Sequence, residues 1–75
     1  MKSVFVKING IKDAMDFAKK AISTDGDILI RKGKFCVDAK SILGIFSLDL
    51  SEGAVVEYPE DAIDFENYIE KYKVS

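Results

Sequence analysis

Apolar and polar positions alternate at the start of the chain, and Val4, Val6 and Ile8 fall on one side of the alternation. A period of two is the mark of a half-buried strand, so a strand is predicted over 3–8, ended by Asn9-Gly10. The period then lengthens. Ile11, Met15, Ala18 and Ile22 recur at helical spacing, with Ala14, Phe17 and Ala21 flanking them and Lys12, Asp13, Asp16, Lys19 and Lys20 opposite. This predicts an amphipathic helix over 11–23 whose core stripe is the first set. Two β-rich runs follow, over 27–31 and 35–39, around the tight-turn signal Lys32-Gly33-Lys34. Phe35, Val37 and Ala39 are expected on the inward face of the second run. A short helix is predicted over 41–48 and a strand over 54–58, which Pro59 ends. The last element is a helix over 60–73 with Ala62, Phe65, Ile69 and Tyr72 inward. Acidic Glu60, Asp61 and Asp64 near its start and Lys71 and Lys73 near its end complement the helix dipole.

The order is thus β-α-β-β-α-β-α. All the apolar faces are buried if the helices cover one face of a single antiparallel sheet, an α+β architecture. A chain of 75 residues supports one domain, 1–75, with no linker or repeat. No apolar run approaches the roughly 18 residues of a membrane span, and the N-terminus lacks the apolar core of a signal peptide. The single cysteine, Cys36, has no partner for an internal disulfide, which fits a reducing compartment. A cytoplasmic protein without membrane attachment is expected.

Net charge is −2, unevenly placed: residues 1–40 hold nine Lys/Arg against five Asp/Glu, and residues 41–75 hold two against eight. The acidic balance argues against a nucleic-acid binder. Lys19, Lys20, Arg31, Lys32, Lys34 and Lys40 either steer an acidic partner protein or form part of a solvated mixed surface. There is no Cys/His cluster of metal-ligand spacing, and Asp25-Gly26-Asp27 does not continue as a calcium loop. No cofactor is called for. No nucleophile with a paired acid and base is evident, so an enzyme is not expected. Tyr58, Tyr68 and Tyr72 read as packing residues.

The stretch from Val37 to Leu48 carries the candidate chemistry. Ser41 opens a helix start, where unpaired N–H groups and the dipole favour an acceptor or an anion. It is placed either to cap that helix or to carry a phosphate on it. Ile42, Leu43, Ile45, Phe46 and Leu48 make the helix apolar almost all round, more than one buried face can use. Ile45 and Leu48 are expected to face the core, with Leu43 and Phe46 partly exposed. Such a surface also permits a weak dimer beside the monomer.

Lys40-Ser41-Ile42-Leu43-Gly44, the apolar helix after it and Glu52-Gly53-Ala54 resemble the HPr family, the phosphocarrier proteins of the bacterial sugar phosphotransferase system. The element order extends the resemblance over nearly the whole chain. It implies a four-stranded antiparallel sheet in the order 1-4-2-3 with three helices on one face. It also implies an exposed docking patch at Ile42, Leu43 and Phe46, with Lys40 beside Ser41, and a serine that a dedicated HPr kinase phosphorylates in many relatives. The implied partners are that kinase, a regulator of carbon catabolite repression and the phosphotransferase enzymes.

One part of the family pattern is missing. HPr proteins carry phosphoryl on a histidine at the start of the first helix, and this chain has no histidine. Either Lys12 or Gly10 occupies that position, depending on the alignment. An ammonium group offers no lone pair and glycine no side chain. Asp13 or Asp16 can in principle accept phosphoryl as an acyl phosphate, but nothing adjacent resembles the metal site such chemistry uses. The expected function is therefore a regulatory or partner-binding module acting through the Ser41 helix. The alternative is a non-catalytic interaction or structural domain that keeps only the fold.

Overall fold

The computed structural model describes residues 1–74. Four strands, β1 (Lys2–Val6), β2 (Leu29–Lys32), β3 (Phe35–Asp38) and β4 (Ala54–Tyr58), form one sheet in the order β1-β4-β2-β3. Every neighbouring pair is antiparallel, in registers such as Val4↔Val56, Ile30↔Val56 and Ile30↔Val37. The helices are α1 (Ile11–Ile22), α2 (Ile42–Phe46) and α3 (Ile63–Ile69), and 3₁₀ turns lie at Leu50–Glu52 and Glu70–Tyr72. Among the described residues no helix is long and apolar enough to cross a membrane.

Alternation along the strands divides the sheet into two faces. Val6, Ile30, Ala54, Val56 and Tyr58 are buried on one, while Phe5 and Arg31 are exposed on the other. On the exposed face the Arg31 Nε donates to the Glu57 Oε1 at 2.7 Å, and this carboxylate raises the guanidinium's pKa. The buried face meets Ala14, Phe17, Ala18 and Ala21 of α1 and Phe65 and Ile69 of α3. Aromatic rings link the layer: Phe17 meets Phe65 edge-on at 5.9 Å, and Tyr58 lies 5.6 Å from Phe65.

Three expectations require correction. The core stripe of α1 is Ala14, Phe17, Ala18 and Ala21; Ile11, Met15 and Ile22 are 71%, 40% and 52% exposed. Three alanines and Phe17 make up the buried side, and Phe17 packs against Phe65 of α3. Phe35 is exposed rather than inward, because it sits beside the hairpin turn on an edge strand; Val37 is half-buried and Ala39 buried. The last helix is shorter than 60–73: Glu60 and Asp61 lie in a turn in which the Ala62 N–H donates to the Pro59 carbonyl, and the end tightens to 3₁₀.

The end of the chain closes one margin of the sheet. Val6 bridges Lys73, the Val74 N–H donates to the Phe5 carbonyl at 3.0 Å, and the Lys7 N–H donates to the Tyr72 carbonyl at 3.1 Å. A polar link adds to this. The Tyr58 hydroxyl donates to the Glu66 Oε2 at 2.7 Å, and the Lys2 ammonium donates to the same oxygen at 3.0 Å. Those two donors hold the Glu66 carboxyl below its ordinary range, the tyrosine first. Burial, then the Glu66 hydrogen bond, pushes the Tyr58 hydroxyl from 10.0 up to about 12.

The raised value belongs to the neutral donor, so its stabilisation is complete below pH 10 and is lost as pH rises to about 12. Urea unfolding across that window should show wild-type stability falling more steeply than that of Tyr58→Phe. Parallel curves would contradict the assignment.

Candidate functional site

The site is built where α1 begins and α2 ends. Gly10 takes the N-cap of α1 at φ 85° and ψ 158°, a conformation that favours glycine, and it supplies no side-chain acceptor. Lys12, the second helical residue, is exposed. Both candidates for the phosphohistidine position thus lie at the opening turn of α1, and neither offers an imidazole or another neutral nucleophile. Asp13 is half-buried in the same turn and Asp16 is exposed one turn on. Among the described residues no group of three or more His, Cys, Asp and Glu is placed to hold a metal.

At α2 the backbone is held by a chain of local hydrogen bonds. Asp38 ends β3, and its Oδ1 accepts from the Lys40 N–H at 2.9 Å while its carbonyl accepts from the Ser41 N–H at 3.0 Å. Ser41 is extended, at φ −93° and ψ 106°, and its Oγ accepts from the Gly44 N–H at 3.2 Å. It is therefore the N-cap of α2. A Cβ on Gly44 would stand 3.3 Å from the Ser41 Oγ and 3.4 Å from the Val37 Cβ, so glycine lets the helix sit close to both. At the other end the Ser47 Oγ donates to the Gly44 carbonyl at 2.7 Å.

Ile45 alone of the helix is buried. Ile42, Leu43 and Phe46 are 42%, 84% and 45% exposed, and Leu48 beyond them packs partly against the core. Phe46 and Ile11 line one open groove of about 210 Å³, floored by Ile8, Ala14 and Ile45. Met15 lies one turn after Ile11 on the same side of α1. The exposed apolar surface therefore runs from α2 onto α1. The helical spacing puts Ile11 and Met15 in the core stripe, whereas the structure leaves both exposed. The signal that could have placed them outside is the width of the apolar arc of α1, which, like that of α2, exceeds one buried face. Lys40 is half-buried beside the exposed Ser41.

The comparisons with known proteins bear on this geometry. A family model described as "PTS HPr component phosphorylation site" matches residues 11–70. The chain belongs to the HPr family. Among solved structures, HPr-C-His from Thermoanaerobacter tengcongensis is similar at 32% identity and a TM-score of 0.71, over 95% of this chain and 92% of that one. The phosphocarrier protein HPr from Bacillus anthracis strain Ames is similar at 26% identity and a TM-score of 0.72, over 97% and 96%. No curated protein sequence matches the chain. The observed sheet order and the three helices are those of the HPr fold.

Within this HPr domain the Ser41 cap has a measurable worth. Ser41→Ala should lower the unfolding free energy by about 1 kcal/mol, while Ser41→Asp, also a good cap, should stay within a few tenths. Equal losses in urea unfolding would show that the hydroxyl is not acting as a cap.

Proposed function

We propose that this chain is an HPr-family protein that binds protein partners through its α1–α2 apolar face and does not carry phosphohistidine. The observation that supports this most directly is the exposure of Ile42, Leu43 and Phe46 on a five-residue helix, continued by Ile11 and Met15. Apolar side chains concentrated on one surface favour burial against a partner. The partners that family membership suggests are the phosphotransferase enzymes, an HPr kinase and a catabolite regulator, which would place the chain in the cytoplasm. On this reading it is a binder rather than an enzyme.

Ser41 stands at the border of that face, and its exposure favours modification as a control point. Its hydroxyl oxygen would attack the γ-phosphorus of ATP, losing its proton and releasing ADP. The phosphate would then sit at the start of α2, beside Lys40 and facing the positive end of the helix dipole. Phosphorylation would thus change the charge of the docking surface without dismantling the helix that carries it.

The test combines binding with modification. Purified enzyme I, HPr kinase and catabolite regulator are each titrated with the wild-type chain and with Phe46→Asp. Wild type should bind at least one of them, and Phe46→Asp, folded by circular dichroism, should bind more than about tenfold more weakly. Kinase and ATP should add one phosphate to wild type and none to Ser41→Ala, read by intact mass. No binding by wild type, or equal binding by Phe46→Asp, would contradict the docking reading. An unmodified wild type, where an ordinary HPr is modified, would contradict the control point.

A further inference from the structure

A second groove adjoins the first. Phe35 pairs with Lys32 across the β2–β3 hairpin, two residues before Val37, whose partner is the buried Ile30. Alternation therefore sets Phe35 on the side of the sheet that bears the helices. There Phe35 and Leu48 are walls of an open groove of about 420 Å³ between the hairpin and the segment after α2. Leu48 and Asp49 also line the groove of Phe46 and Ile11, so the one runs on into the other. Phe35 is 63% exposed.

The rim of this groove is cationic. Lys32 and Lys34 line it on the hairpin side. The Lys32 ammonium donates to the Asp49 carbonyl, which holds it at the groove with two N–H donors left over. Lys34 is exposed in the turn, and neither lysine forms an ion pair among the described residues. The carboxylate of the lining, that of Asp49, already accepts from the Ser51 N–H at 3.0 Å and from the Ser51 hydroxyl at 2.5 Å. Apolar walls beside cations without carboxylate partners fit a large apolar side chain carried next to acidic ones, and they repel a basic segment. The net charge of −2 favours a protein occupant over an anionic lipid surface, which would meet the acidic balance of the whole chain.

We propose that the docking face extends past Leu48 to Phe35, and that this end takes an acidic segment of a protein partner, with a large apolar side chain between Phe35 and Leu48 and carboxylates at Lys32 and Lys34. The extension rests on the α1–α2 docking reading, whereas the preference of the groove for such a segment does not. The charges make the contact salt-dependent and act on the rate of association.

The probe is a short peptide, acetyl-Asp-Glu-Leu-Phe-Asp-Glu-amide, beside a control with lysines at the acidic positions. In amide NMR titrations at low salt the acidic peptide should shift residues 33–36 and 47–49 of the wild-type chain with a Kd of about 1 mM, and the control should not. Phe35→Ser and Lys34→Glu should each remove the shifts; both positions are exposed, so neither variant disturbs the core. Phe46→Asp should keep them. For a full-length phosphotransferase partner, Lys34→Glu should weaken binding about threefold to tenfold at about 20 mM salt and less at about 300 mM. Absence of shifts at the hairpin, equal shifts by the control, or shifts that persist in both variants would overturn the proposal. So would a partner that loses affinity for Phe46→Asp and is indifferent to Phe35→Ser and Lys34→Glu, or capture of the chain by phosphatidylserine vesicles through Phe35. Peptide shifts with no partner bound by the wild-type chain would sustain the groove and overturn the extension together with the reading it rests on.

Discussion

Three helices must share the one face that this four-stranded sheet buries, and the rest of the molecule is arranged around that constraint. α1 and α3 take most of the available area. Ala14, Ala18 and Ala21 line the buried side of α1, and Phe17 and Phe65 fill the layer from two helices by meeting edge-on. Burial of large side chains of this kind contributes about 1.5–3 kcal/mol each and dominates the stability of so small a domain. α2 is left with the margin beside β3. There it is five residues long and has one buried anchor, Ile45.

That marginal position gives α2 its character. A helix of five residues has little stability of its own, so local devices must hold it. Ser41 caps it, Gly44 lets it approach Val37, and Asp38 sets the turn that leads into it. The apolar residues that cannot reach the core then point outward together with Ile11 and Met15. Fold and exposed apolar surface are thus two results of one shortage of buried area. Here the opening of α1, with Gly10 and Lys12, and the opening of α2, with Ser41, stand beside this surface.

Much of this is legible in the sequence. Residues 54–58 read as a strand because they are mostly apolar and β-rich up to Pro59, and they form β4 over Ala54–Tyr58 with alternate residues buried. The Lys40–Gly44 motif marks the start of α2 because capping is a local preference of one serine. Other features depend on distant partners. Which of two apolar arcs on α1 faces inward depends on the sheet and helices packed against it, and the period of the helix does not report that. Phe35 reads as core by alternation, but alternation does not report that it sits beside the hairpin turn on an edge strand. The closure of β1 by the segment around Lys73 joins the two ends of the chain and leaves no periodic trace.

The central claim is that α2 is divided between one residue that holds it to the core and others that serve a surface. Urea unfolding of Ile45→Ala beside Leu43→Asp tests it most directly. The account predicts a loss of about 2–5 kcal/mol for Ile45→Ala, from the cavity it leaves, and a change within about 0.5 kcal/mol for Leu43→Asp. Comparable losses for the two variants would place Leu43 in the core and remove the basis for the docking surface.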